Sequence, residues 1–137
     1  MSKYRAKKTV VDNITFDSIA ESKYYEQLKW LLQAKQIKSF KLQPKFLLQD
    51  SFKKNGVTVR KIEYKADFEV HNLDGSIEIV DVKGVETKDF IIKKKLFLNK
   101  YDLPLKLVTL HKTYGWLELD QLKKIEKQLT RRKKKCW

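Results

Sequence analysis

Asp81, Val82 and Lys83 set a carboxylate and an ammonium two residues apart at the end of a β-branched run, Ile77-Glu78-Ile79-Val80-Asp81-Val82. Side chains two apart in a strand leave the same face, so Asp81 and Lys83 point into one space. Asp67 lies on the preceding run, where Ile62, Tyr64, Ala66, Phe68 and Val70 alternate with Glu63, Lys65, Asp67, Glu69 and His71. The alternation predicts a half-buried strand with the first set pointing one way and the second the other. An Asp74-Gly75 pair between the runs predicts a β-hairpin, and one register of that hairpin brings Asp67 beside Asp81. Two carboxylates held close repel and need a cation between them. Oxygen-only ligands suit magnesium, or manganese in its place, rather than zinc.

A metal held by Asp67, Asp81 and the Val82 carbonyl would acidify and orient a water for attack on a phosphodiester, with Lys83 as a point charge on the developing negative charge. Glu21, in the first turn of a long helix, would complete the cluster through water. Each residue has a plainer reading. Ser18-Ile19-Ala20-Glu21 is also a capping box, Asp67 also reads as a solvated-face carboxylate, and Asp81 with Lys83 as a surface ion pair of little energetic value.

These residues need elements to hold them. Apolar positions Ile19, Ala20, Tyr24, Leu28, Leu31 and Leu32 recur at helical spacing and predict a helix from Ser18 to about Gln36, capped by Asp17 or Ser18. Phe40 to Leu48 is extended, and Pro44 marks an edge strand or bulge there. A half-buried strand is expected from Val57 to Val70, then the hairpin, then a helix from Lys88 to about Tyr101 burying Phe90, Ile91, Phe97 and Leu98. A buried strand follows from Leu105 to Leu110. A last helix begins at Asp120 as its N-cap, with Leu122, Ile125 and Leu129 on one stripe. This order predicts an α/β fold, a mixed central sheet flanked by helices, with an added basic C-terminal helix. Residues 1–12 read as a basic flexible arm, 13–119 as the catalytic domain and 120–137 as the basic helix and tail.

With 137 residues, one core is expected. Lysine and arginine number 31 against 17 acidic residues, a formal net charge of +14. That excess implies an acidic partner. Nucleic acid is favoured because phosphate contacts release condensed counterions. A membrane is disfavoured: no stretch pairs a basic face with a broad apolar one, and no apolar run is long enough to span. The single Cys136 rules out an intramolecular disulfide or a cysteine zinc site, and a cytoplasmic setting is expected. Lys7, Lys8, Lys88, Lys93, Lys94, Arg131, Arg132 and Lys133 are the expected nucleic-acid contacts. Glu63, Glu69 and Glu78 fit a solvated sheet face better than a second metal. His71 and His111 are too isolated to be ligands, Trp30 and Trp116 read as core, and Trp137 fits a tail contact or none.

Three segments, Phe16-Asp17-Ser18-Ile19-Ala20-Glu21-Ser22-Lys23-Tyr24, Tyr64-Lys65-Ala66-Asp67-Phe68 and Ile79-Val80-Asp81-Val82-Lys83-Gly84, resemble in type and order the PD-(D/E)XK nuclease superfamily. The likeness spans residues 16–84 and is nearest to small phage-encoded members of the Holliday-junction-resolvase-like type. It implies a restriction-endonuclease-like αβββαβ core in which Glu21, Asp67 and Asp81 bind magnesium and Lys83 assists hydrolysis. Ala66 stands where the eponymous proline would be, and Asp81 where many members carry glutamate; neither departure removes a chemical group. The expectation is therefore a metal-dependent DNA endonuclease acting on branched or structured DNA. The alternative is a non-catalytic DNA-binding or regulatory protein on the same fold. A homodimer with opposed sites and a protein partner that supplies specificity are both compatible with the first reading.

Overall fold

A computed structural model of the chain describes residues 8–135, with side chains described through Arg132. Lys7 and Trp137, and the side chain of Lys133, lie outside the described residues.

Part of the segment expected to be a flexible arm is ordered. Strands β1 (Thr9–Val11) and β2 (Ile14–Phe16) form a hairpin. Asp12 and Asn13 both take positive φ, 53° and 61°, as a two-residue turn matched to strand twist requires. The Asp12 carboxylate then accepts from the Tyr25 hydroxyl at 2.9 Å, which ties the turn to the next helix.

Helix α1 (Ile19–Gln33) starts where Ser18 Oγ accepts the Glu21 amide at 3.1 Å. It ends earlier than expected, because Lys35 adopts a left-handed φ of 56°. Its buried face is Glu21, Ser22, Tyr24, Tyr25 and Leu28, while Ile19 and Leu32, expected inside, are exposed. The face is rotated toward Glu21 because two consecutive tyrosines, Tyr24 and Tyr25, fill the space against Phe16, Phe40 and Phe68.

Two stretches of extended chain then pair with each other and break at matching points. β3 (Ile37–Leu42) and β4 (Lys45–Gln49) are separated by Gln43, at φ 50°, and Pro44; the proline sits in a break between two edge strands and not in a bulge, and the register shifts lie between Ile37 and Ser39 and between Leu47 and Gln49. Beyond the exposed ribbon of β5 (Phe52–Lys54) and β6 (Val57–Val59), the returning chain breaks at Ala66-Asp67 into β7 (Ile62–Lys65) and β8 (Phe68–Asn72). The breaks face each other: Gln43 N–H donates to Asp67 O at 2.9 Å and Ala66 N–H to Pro44 O at 3.1 Å. β8 pairs with β3 and β7 with β4, in separate sheets. The single strand expected from Val57 to Val70 is therefore three strands.

β9 (Ile77–Val82) follows through the expected turn, with Gly75 at φ 90° and the Ser76 amide donating to Asp74 Oδ1 at 2.9 Å. Helix α2 (Lys88–Lys100), capped by Thr87, crosses to β10 (Leu105–His111), which lies parallel to β9. β11 (Gly115–Glu118) returns antiparallel, and α3 (Leu119–Lys135) completes the described chain. The central sheet is mixed, ordered β11-β10-β9-β8-β3. Asp120 sits in the first turn of α3, inside the helix and not at its cap.

A core lies on each face of this sheet. Tyr24, Tyr25 and Leu28 of α1 meet Phe68, Val70, Val80 and Val108 on one face; Phe90 and Phe97 of α2 meet Phe46, Tyr64, Ala66 and Ile79 on the other. β9 is covered on both faces, which explains its continuous apolar run. The expectation that Tyr64, Ala66, Phe68 and Val70 share a face is thus corrected: the break at Ala66-Asp67 sends the first pair to the α2 core and the second to the α1 core. Leu98 and Leu129, expected on buried stripes, are exposed. Among the described residues no helix is long and apolar enough to cross a membrane.

Candidate active site

The hairpin register pairs Phe68 with Val80 and Glu69 with Ile79. Just past the end of that ladder, in the break before β8, Asp67 lies beside Asp81. The Asp67 amide donates to Asp81 Oδ1 at 3.1 Å, and the Val82 amide donates to Asp67 Oδ2 at 2.8 Å. Asp81 also accepts a hydrogen bond from the Tyr64 hydroxyl. It is 2% exposed, because the bend that folds β7 over the sheet lays Tyr64 across it.

Glu21 reaches this pair from the other face. Ser18 fixes the first turn of α1, and Glu21, only 8% exposed, lies close enough to Asp17, Asp67 and Asp81 for its carboxyl to respond to all three. Of the capping box, the Ser18 half is formed, its hydroxyl accepting the Glu21 amide. The three acids form a row with Asp67 in the middle.

The electrostatics follow from that row. Burial, then the Asp81 charge, then Glu21 push the Asp67 carboxyl up to about 9. Burial, with the neighbouring Asp17 charge next, raises Glu21. Burial and the Asp81 charge raise the Tyr64 hydroxyl. Such a row holds either shared protons or a cation. As placed, the carboxyls turn toward one another and toward strand amides, and among the described residues no group of three or more His, Cys, Asp or Glu side chains is set to hold a metal ion.

Lys83 leaves β9 on the same side as Asp81. Its amide donates to Val108 O at 2.8 Å, which locks the strand end to β10, and its ammonium lies 4.4 Å from the centre of the Phe90 ring. A cleft of about 420 Å³ opens here, lined by Glu21, Val82, Lys83 and Gly84 and, unforeseen from sequence, by Asp17, Thr87 and Thr109. It lies beyond the carboxyl ends of the parallel strands β9 and β10, where open α/β sheets bind ligands. Asp17 is one turn before Glu21 and Thr87 is a legible helix cap, so both carried a signal. Thr109 carried none, since nothing in the sequence aligns β10 beside Lys83.

The expected phosphate contacts divide. Lys8, Lys88, Arg131 and Arg132 are exposed and Lys93 is half-buried. Lys94 is instead paired with Glu86 at 3.2 Å, and Lys123 of α3 takes the other Glu86 oxygen at 3.1 Å. Glu63 pairs with Lys61, Glu69 with His71 and Lys41, and Glu78 accepts from Asn72, as solvated-face residues do. The His111 ring accepts the Thr113 and Tyr114 amides. Trp116 packs on Tyr24 as a core residue, but Trp30, expected in the core, is 64% exposed.

No curated protein and no solved structure matches this chain. A family model described as "Protein of unknown function (DUF1064)" matches residues 1–116, a span that holds Glu21, Asp67, Asp81, Lys83 and the whole cleft, and the chain belongs to that family.

Proposed function

We propose that this protein is a metal-dependent DNA endonuclease that hydrolyses phosphodiester bonds at the Glu21, Asp67, Asp81 and Lys83 site, acting on branched or structured DNA. The observation that carries the reading is the placement of Asp67 beside Asp81, tied to it and to Val82 by backbone amides at the end of the β8–β9 ladder, with Glu21 near them and Lys83 just past the same strand end. The succession of α1, three antiparallel strands (β3, β8, β9), α2 and a parallel β10 is the order an αβββαβ nuclease core requires, which supports the reading.

The donor set is all oxygen: three carboxylates and the Val82 carbonyl. By donor chemistry that set would suit magnesium, with manganese as substitute, once the carboxyls turn from one another and from the strand amides. When bound, the ion would supply charge neutralisation at the scissile phosphate and acidify the attacking water. Asp67 and Asp81 would hold it from adjacent strands. Tyr64, by donating to Asp81, keeps that carboxylate from rotating away. Glu21 lies at the cleft and can accept a proton from water. Lys83, rigid at its backbone and mobile at its tip, can leave the Phe90 ring for a phosphate oxygen. Exposed Lys88, Arg131 and Arg132 would supply sequence-independent affinity.

One observation favours the second reading, a non-catalytic DNA-binding protein on this fold: among the described residues every buried polar side-chain atom already has a partner, so the acids are satisfied without a cation. Metal dependence separates the two. Labelled four-way junction, flap, single-stranded and linear duplex DNA, incubated with magnesium, manganese or EDTA, should be cut only with metal and fastest as the junction. Cutting junction and linear duplex equally would sink the structure preference; binding all four and cutting none would leave the second reading.

A further inference from the structure

The ribbon β5–β6 lies outside both cores. Every residue from Asp50 to Lys61 is exposed. Phe52 pairs with Val59, Lys53 with Thr58 and Lys54 with Val57. Alternation along the two strands puts Phe52, Lys54, Val57 and Val59 on one face. Phe52 is 45% exposed and Val57 64%. Side chains of these kinds are buried when nothing else is asked of them, and a lone two-stranded ribbon is marginal in water. Between Phe52 and Lys61 stand four cations, Lys53, Lys54, Arg60 and Lys61, and no acid. Lys61 is answered by Glu63 at 3.1 Å, and the other three have no carboxylate within the ribbon.

We infer that this ribbon is a second DNA-contacting element, which docks on the duplex that enters the acid site. Apolar side chains alone would suit a protein partner. Their interleaving with three cations on a chain of net charge +14 suits nucleic acid, where ammonium and guanidinium groups take phosphates and Phe52 and the valines take sugars and base edges. The dimensions also fit, since the major groove, about 12 Å wide, admits a two-stranded ribbon. The contour from Asp67 back to the turn at Asn55-Gly56 is at most about 40 Å, so one duplex of moderate length can touch both. The inference rests on the DNA reading above, but not on hydrolysis.

The test is fluorescence anisotropy of a labelled duplex of about 30 base pairs, on the full chain, in EDTA, over a range of salt. The triple variant Lys53→Ala/Lys54→Ala/Arg60→Ala should bind at least tenfold more weakly at low salt, with a salt slope shallower by about 2 to 3. Phe52→Ala should weaken binding several-fold at unchanged slope. Both should melt with the wild type, because none of the four side chains enters a core. A triple variant that matches wild type in affinity and slope overturns the ribbon's role, even if the protein cuts DNA. Wild type that binds without cutting removes the endonuclease and leaves the ribbon; wild type that does not bind DNA removes both. Loss of self-association in Phe52→Ala, with DNA binding intact, would mark a protein-facing ribbon and also overturn the inference.

Discussion

Asp67 donates its amide to Asp81 at 3.1 Å and takes the Val82 amide on its own carboxylate at 2.8 Å. Each aspartate thus holds the other's strand, and their charges are forced together by the same ladder that positions them. The stability of the hairpin and the chemistry of the site are coupled through this pair.

Stability should consequently fall as pH rises. The Asp67 carboxyl moves from an ordinary 3.8 to about 9 on folding, so between those values the folded chain binds a proton that the unfolded chain has released. Unfolding is then favoured by rising pH, with the loss beginning above pH 4 and complete near pH 9. In EDTA the melting temperature should drop from pH 5 to pH 9. Asp67→Asn should flatten the profile and, at pH 8, melt at a higher temperature than the wild type. A wild-type melting temperature that is flat or rising over that range would contradict the shared-proton row.

Magnesium should reverse that loss. A cation that binds the folded row and not the unfolded chain adds about 2.7 kcal/mol at a hundred times its dissociation constant. At pH 8, scanning calorimetry should show a rise in melting temperature with millimolar magnesium in the wild type and none in Asp81→Asn. Equal shifts in both proteins would place the ion elsewhere.

Tyr64→Phe should keep the fold, since the ring still packs on Phe90 and Phe97 at centroid distances of 6.0 and 5.5 Å. It removes the hydroxyl from a buried carboxylate, which costs about 1–3 kcal/mol. Chemical denaturation checks this: an unchanged midpoint would mean that Asp81 does not depend on the tyrosine.

Much of the fold is legible because local chemistry and tertiary structure agree: the Asp74-Gly75 turn, the cap at Ser18, the edge-strand break at Pro44 and the β-branched run before Lys83 each do what their residue types prefer. The bend at Ala66-Asp67 is not legible, since the alternation of apolar and polar letters runs through it unbroken while the chain changes sheets. The register that sets Asp67 against Asp81 depends on Phe68 packing across from Val80, which spacing alone cannot fix. Ile19, Leu32, Leu98 and Trp30 read as core by type, yet burial depends on which neighbours arrive. Lys94 reads as a phosphate contact because Glu86, which claims it, lies eight residues away across a loop.

Glu86 holds Lys94 and Lys123, and despite its burial those two cations hold its carboxyl below the usual range. Glu86→Gln should free two cations near the cleft at a modest cost in stability, since the lysine partners stay partly in solvent. DNA binding should tighten several-fold with a salt slope steeper by up to about 2. Weaker binding would show instead that the ion pairs position α3 for contact.

The most direct test of the central claim is cleavage of a labelled four-way junction by wild type, Asp81→Asn and Lys83→Ala, each with magnesium and with EDTA, at protein concentrations that saturate binding. The account predicts metal-dependent cutting by the wild type, a loss of at least about a hundredfold in each variant, as for removal of one transition-state charge contact, and near-normal junction binding in both. Undiminished cutting by Asp81→Asn, or a wild type that binds the junction and leaves it whole with either magnesium or manganese, would contradict it.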